Sequence, residues 1–247
     1  MSIKTTINYS SNFDSKKREL AKIRFIVFHY TGMKKESEAI SRLTNIQSKV
    51  SCHYLIKKNG EIIRMVPESY IAWHAGKSSW KNYRSLNKNS IGIEITNPGH
   101  EFKYKKFTTK QISSLLKLSR LLIKKYKINL KNILGHSDIA PKRKKDPGEK
   151  FPWQYLSQNK VGLWHLIKKH ELIKNRQIKT TKIDKDLFIN NLFKIGYQKK
   201  PPRTLDRHKY LSYIIKAFQR RYRQDLIDGK IDQECLIISQ NLIKAYH

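Results

Sequence analysis

RFIVFHYTG, Arg24 to Gly32, is the stretch that decides how this chain is folded. Arg24 to Phe28 is a short β-branched and aromatic run, which predicts a buried strand. It ends at His29-Tyr30-Thr31-Gly32, a polar cluster closed by a glycine, and the C-terminal end of a buried strand is where open α/β sheets place their ligands. A helix is expected next, because Ala39, Ile40, Leu43 and Ile46 recur at helical spacing.

Working outward, Cys52 to Ile56 and Glu61 to Val66 flank Lys58-Asn59-Gly60, and Asn-Gly between two such runs is a strong hairpin signal. Ala72-Trp73-His74-Ala75-Gly76 reads as a loop. Ser90 to Thr96 (SIGIEIT) returns to β alternation, sets the acid Glu94 between Ile93 and Ile95, and stops at Asn97-Pro98-Gly99. Thr108 and Gln111 form a capping box ahead of an amphipathic helix carrying Ile112, Leu115, Leu116, Leu122, Ile123 and Tyr126. Asn132 to Gly135 is a last short strand that delivers His136 at its end. Val161 to Ile173 reads as a further helix and Lys174 to Lys182 as a polar linker.

From Asp184 onward only helices are expected. Leu187, Phe188, Leu192 and Phe193 stop at Gly196-Tyr197, Leu211, Ile214, Ile215, Phe218 and Tyr222 follow at helical spacing, and Gly229 precedes a final helix to Ala245. The expected architecture is therefore α/β, a mixed central β-sheet flanked by helices, plus a small all-α three-helix C-terminal domain. The expected boundaries are an N-terminal extension at 1–22, a catalytic domain at 23–157, a connecting helix and linker at 158–183, and the helical domain at 184–247.

Lysine and arginine number 52 against 19 acids, a net charge of +33. Such a balance suits a nucleic acid, an anionic membrane surface or an acidic polymer as partner. Lysine is spread through almost every segment, however, which is the pattern of a compositional bias. Cys52 and Cys235 are far apart and make no CxxC pair, so they support neither a disulfide framework nor a thiolate metal site. The first residues contain no apolar run of signal-peptide length, and no segment is long enough to span a bilayer. The chain reads as soluble, monomeric and without a visible export address.

LGHSDIAPKRKKDPGEKFPW, Leu134 to Trp153, is too polar and too rich in proline to be core, so its ordered features point to a site. A hydrolytic zinc site needs three protein ligands and an open position for water, and two histidines with one carboxylate are a common way to supply them. His29 and His136 stand at the ends of separate strands, and Asp146 lies in the adjoining loop. These three are the expected metal ligands.

The blocks FIVFHYTG (Phe25 to Gly32), SCHYLI (Ser51 to Ile56), AWHAG (Ala72 to Gly76), IGIEITN (Ile91 to Asn97) and Gly135 to Trp153 together resemble, in order, the type 2 N-acetylmuramoyl-L-alanine amidases. These are the AmpD/AmiD-like enzymes related to phage T7 lysozyme and to peptidoglycan-recognition proteins, and the resemblance spans about residues 22 to 157. It implies one zinc ion held by His29, His136 and Asp146, with Glu94 as the catalytic glutamate and Lys144 as the lysine that stabilises the transition state. The substrate implied is peptidoglycan or its muropeptides, with no specific nucleic-acid partner.

Other readings of these residues stand beside the resemblance. Glu94 could be a salt-bridge partner on a strand face, and Lys144 is one of four consecutive cations, Lys142 to Lys145, which usually mark a solvated surface. Trp73, His74 and Asn97 are expected to contact substrate; His53 and His74 could also support the metal site, and Trp73 and Trp80 could be core or could stack on sugars. Phe218-Gln219, Asp228-Gly229 and Asp232 resemble the peptidoglycan-binding type 1 three-helix domain, with Cys235 where that motif usually has Thr. Such a domain favours the cell envelope or the exterior, with recycling of muropeptides in the cytoplasm as the alternative. Two other function classes are a non-catalytic peptidoglycan-recognition module and a basic nucleic-acid binder.

Overall fold

The computed structural model describes residues 3–199 and 205–246; positions 1–2, 200–204 and 247, which fall in the expected N-terminal extension and C-terminal helical domain, lie outside the described residues. In chain order the strands are β1 (Thr6–Ile7), β2 (Phe13–Asp14), β3 (Phe25–Tyr30), β4 (Tyr54–Ile56), β5 (Ile62–Arg64), β6 (Ile71–Ala72), β7 (Ser79–Trp80), β8 (Tyr83–Arg84), β9 (Ser90–Ile95) and β10 (Ile133–Gly135). The helices are α1 (Glu36–Thr44), α2 (Thr109–Tyr126), α3 (His136–Ile139), α4 (Trp153–Gln158), α5 (Lys169–Asn175), α6 (Lys182–Ile195), α7 (Arg207–Tyr222) and α8 (Gln233–Tyr246).

Six strands make one sheet in the order β1-β5-β4-β9-β3-β10. The β4–β5 hairpin is antiparallel, and the other pairings are parallel, so the sheet is mixed. The hairpin closes where the Asn-Gly signal lies, with Lys57 N–H donating to Glu61 O at 2.9 Å. At the start of α2 the Thr108 hydroxyl accepts from Gln111 N–H while the Gln111 side chain accepts from Thr108 N–H, the reciprocal cap the sequence predicts.

The two-residue period of a strand sorts the central side chains onto two faces. Ile26 and Phe28 of β3, Ile91 and Ile93 of β9 and Ile133 of β10 join Leu115, Leu118 and Leu122 of α2 and Trp153 of α4 in one apolar cluster. Phe25 and Val27 of β3 and Leu134 of β10 point the other way, into a cluster with Trp80 and with Phe188, Leu192, Ile214, Phe218 and Leu242 of the three C-terminal helices. Strand β3 is thus covered on both faces, which is why RFIVF lacks polar alternation. The helices α6 to α8 form as expected, but they also supply the second layer over the sheet.

Two segments differ from their sequence-based description. Residues of the expected N-terminal extension supply β1, paired in parallel with β5, and β2, paired antiparallel with β6. Arg18 from the same stretch is buried and donates to Glu68 O and Ser90 O at 2.9 and 2.8 Å. Strands of two residues are too short to display a period, so the pattern was invisible. Val161 to Ile173 is not one helix either: α4 ends at Gln158, the chain then runs without regular structure, and α5 begins at Lys169. Its apolar residues divide between layers, Val161 into the α2-side cluster and Leu163 and Ile167 against the other.

Phe218 is fully buried and packs edge-on against Phe188 at 5.1 Å between ring centroids. Phe218→Ala should cost about 3–5 kcal/mol of stability. Because the same cluster contains Val27 and Leu134, the loss should appear in one urea transition, seen together by tryptophan fluorescence and far-UV circular dichroism; two separated transitions would show that helices and sheet unfold apart.

Candidate active site

Register places the reactive side chains. In the parallel β3–β9 pair His29 lies opposite Glu94, and in the β3–β10 pair Gly135 lies opposite Phe28, so His136 emerges one step beyond, beside His29. All three occupy the carboxyl end of the sheet. Asp146 arrives from the loop after α3, whose backbone is tied back by Ser137 N–H donating to Asp146 O at 2.8 Å.

The three expected ligands meet. His29 Nδ1 and His136 Nδ1 are 2.9 Å apart, and Asp146 Oδ2 is 3.0 Å from each, all buried. Hydrogen bonding around them fixes which atoms carry protons. Ser90 Oγ donates to Leu86 O at 2.6 Å, so it must accept from His74 Nε2 at 3.1 Å. Burial, with the other histidines adding to it, holds the His74 pKa well below its usual value, so the ring is neutral and its Nδ1 accepts from His29 Nε2 at 3.0 Å. Burial likewise lowers His29 to about 4, with His136 contributing. His29 is therefore neutral and presents a bare Nδ1. His136 Nε2 donates to Ala75 O at 3.1 Å, which also turns its Nδ1 inward.

Asp146 completes the set as a carboxylate. Burial alone would raise its pKa, but contacts with His136 and His29 overcome that and hold it below the usual carboxylate range. Three lone-pair donors thus converge at the buried floor of a groove with no proton to share between the imidazoles. A cation resolves that conflict, and two imidazole nitrogens with one carboxylate oxygen are a donor set zinc accepts.

Glu94 borders the same point. Its Oε2 is buried without a hydrogen-bond partner, and burial, reinforced by Asp146 and opposed by Lys144, pushes its pKa up to about 8. Among the described residues Glu94 enters no ion pair. Lys144 also lines the groove above the site. Arg143, its neighbour, instead donates to Ala75 O and Lys77 O at 3.2 and 2.7 Å, clamping the loop that orients His136.

The groove is a cavity of about 900 Å³ that includes Tyr30, Trp73, His74, Glu94 and Lys144 in its lining. Ligand sites commonly fall in the range of about 300–1,000 Å³. Trp73 is half-buried there and donates to Asp14 Oδ1 at 2.7 Å, whereas Trp80 is wholly buried in the core. His74 lines the groove and orients His29. Asn97 is placed differently from its expected substrate contact: its Nδ2 donates to Lys105 O at 2.9 Å and its Oδ1 accepts from Gly99 N–H at 3.0 Å, so its side chain is occupied in closing the turn.

Sequence reasoning did not find Ser90 or Arg143, and it offered His74 as a support for the metal site without the hydrogen bond to His29 by which it acts. A signal for the last was present in Gly92, since glycine inside a strand marks a close approach. A Cβ at Gly92 would lie 2.3 Å from the His74 ring. His53 borders His74 edge-on at 5.7 Å and accepts from Gly92 N–H through Nδ1 at 3.0 Å.

Two imidazoles and a carboxylate converging beside an unpaired carboxyl group, under a large groove at the carboxyl edge of a mixed sheet, fit the active site of a hydrolase. The chain belongs to the N-acetylmuramoyl-L-alanine amidase family, whose pattern matches residues 19–149. It is 36% identical over 237 residues to the N-acetylmuramoyl-L-alanine amidase AmiD of Escherichia coli, covering 91% of this chain and 84% of that protein. It is 42% identical over 116 residues to the 1,6-anhydro-N-acetylmuramyl-L-alanine amidase AmpD of Haemophilus influenzae, covering 46% of this chain and 61% of that one. Among solved structures, E. coli AmiD in complex with the substrate anhydro-N-acetylmuramic acid-L-Ala-D-gamma-Glu-L-Lys superposes with a TM-score of 0.79 at 33% identity, covering 94% of this chain and 92% of that one. AMPDH3 from Pseudomonas aeruginosa in complex with anhydromuramic pentapeptide gives 0.77 at 30%, covering 98% of each.

His74→Phe keeps a ring of similar size but removes the acceptor for His29 Nε2–H. Zinc affinity, measured by competition with a chromophoric chelator, should fall by about 10–100-fold. Glu94 gives a pH signature in the metal-free protein. Its folded pKa of about 8 exceeds the usual 4.5, so the folded state binds the extra proton between those values and stability falls as pH rises through that window. Metal-free Glu94→Gln should lack this fall and melt above the wild type at pH 9; equal melting temperatures there would contradict the assignment.

Proposed function

We propose that this chain hydrolyses the amide between the lactyl group of N-acetylmuramic acid and the L-alanine of the stem peptide, in peptidoglycan or its muropeptides, with one zinc ion held by His29, His136 and Asp146. The observation that carries this reading is the convergence of three lone-pair donors within 3.0 Å beside an unpaired carboxyl group, in a chain whose relatives are amidases of this linkage. When bound, zinc lowers the pKa of a coordinated water to about 7 and polarises a carbonyl.

The protein groups do the rest. Glu94, with no competing hydrogen bond at Oε2 and ionised once positive charge beside it offsets the burial that raises its pKa, takes the proton of the attacking water and passes it to the departing amide nitrogen. Lys144 offsets the negative charge that grows on the scissile carbonyl oxygen. Trp73, half-buried in the groove wall, offers a flat apolar face to the sugar.

The helices α6 to α8 are proposed to bind the wall, raising the local concentration of bonds to be cut. What supports this is the Gln219, Asp228, Gly229 and Asp232 pattern. Within the protein those residues close the α7–α8 turn, with Gln219 Nε2 donating to Asp228 Oδ1 at 3.0 Å and Gly229 N–H to Gln219 Oε1 at 2.8 Å. No helix among the described residues is long and apolar enough to cross a membrane. A wall-binding unit favours action in the cell envelope or outside the cell.

Chelation is the direct test: exhaustive zinc removal should abolish hydrolysis of purified peptidoglycan, and zinc alone should restore it. His136→Ala should lose metal and activity together. Glu94→Gln should retain zinc yet lose about 10²–10⁴ in kcat, and Lys144→Met about 10²–10³. Mass spectrometry of products from intact sacculi and from anhydro-muropeptides identifies the bond cut; release of anything other than free stem peptide and intact glycan would contradict the reading.

A further inference from the structure

We propose that Arg221, on the C-terminal helix α7, is a positioning residue for the metal site, holding the Asp138 carboxylate and through it the backbone that carries His136. The inference rests on the reading of His136 as a metal ligand.

Arg221 and Asp138 form a salt bridge of 2.6 Å in which both side chains are about 1% exposed. The Asp138 oxygen that accepts from Arg221, Oδ2, also accepts Gly135 N–H at 2.8 Å, and its Oδ1 accepts the Tyr197 hydroxyl at 3.0 Å. A second arm of Arg221, Nη2, donates to Ile133 O at 2.9 Å on β10. Its guanidinium stacks over the Trp153 ring at 4.2 Å. One side chain from outside the segment matched by the family pattern therefore grips both the last strand and the first turn of α3, and His136 stands between those two grips.

The same helix holds the far end of the loop. Gln224 Nε2, just beyond α7, donates to Phe151 O at 2.7 Å, and Arg220 lies 4.0 Å from Glu149. Between these anchors the chain presents His136, Lys144 and Asp146. α3 has only four residues, too few to hold its own orientation by internal hydrogen bonds, so its geometry depends on what pins its ends. On one side that is Ser137 N–H to Asp146 O; on the other it is the Asp138 carboxylate on Gly135 N–H. A buried carboxylate keeps its charge when a partner compensates it, and Arg221 is that partner. Without it, the Asp138 carboxylate would lose the arm that fixes its orientation, Gly135 N–H would lose a well-placed acceptor, and His136 Nδ1 would lose its fixed place. Zinc–nitrogen bonds tolerate little displacement from about 2.0–2.1 Å.

A residue that only filled space in the core would affect melting but not the metal. The full-length wild type, Arg221→Met, Arg221→Lys and Tyr197→Phe are compared at a temperature where circular dichroism shows each folded. Zinc affinity is read by chelator competition, and kcat and KM on a soluble muropeptide. Arg221→Met should bind zinc about 10–100-fold more weakly and lose kcat with KM nearly constant. Arg221→Lys should recover part of both, because an ammonium can reach Asp138 but not Ile133 O as well. Tyr197→Phe, which deletes one hydroxyl from the same carboxylate, should shift affinity the same way by about fivefold. Folded Arg221→Met with wild-type zinc affinity overturns the proposal. Should that variant fail to fold, unchanged affinity and kcat in Tyr197→Phe overturn it instead. Failure of the wild type to bind zinc would overturn the metal reading, and this inference with it.

Discussion

Three electron-pair donors pressed to about 3 Å from one another at the buried floor of a groove repel each other, and the rest of the active half of this protein is arranged to keep them there. The relay from Leu86 O through Ser90, His74 and His29 directs each proton outward, leaving the inner nitrogen bare. Ala75 O does the same for His136. Such an arrangement is unfavourable in the bare protein and would become favourable with a cation at its centre, so an ion bound there would add to the stability of the fold.

Support for that pocket comes from both ends of the chain. Arg18, before the segment matched by the family pattern, reaches Asn87, Ser90 and Glu68 carbonyls and holds the loop in which the His74 relay ends. Arg221, beyond that segment, holds the opposite wall. Burial lowers the Arg18 pKa to about 10, which still leaves it charged at neutral pH. Each guanidinium satisfies several carbonyl or carboxylate oxygens at once, a task suited to its planar fork of donors. The high content of basic residues hides these two among many solvated ones.

Legibility in the sequence followed the length and the chemistry of each signal. β3 could be read because a short β-branched and aromatic run with no polar break suits a strand covered on both faces, and the hairpin and the α2 cap because their turn chemistry is local. His29 and His136 stood out as polar residues at the ends of buried strands. Lys144 did not, since Lys142, Arg143 and Lys145 surround it and only the family pattern separates them. β1 and β2 were too short to show a period. In α6 and α7 an apolar stripe announces that something covers it, and nothing in the stripe says whether the cover is a neighbouring helix or the face of a sheet. Asn97 and Asp138 look alike in sequence, short polar side chains near strand ends, and only packing shows that one closes a turn while the other receives a buried arginine.

The contact between Gly92 and His74 makes two distant positions a single choice. Any side chain at position 92 would evict the embedded imidazole, and any smaller residue at 74 would leave a hollow above the strand. Neither position can change alone without loss, so drift at one is frozen by the other. A related chain carrying alanine at the strand position is expected to orient its first histidine through some other acceptor, approaching from a direction that this fold leaves to the loop.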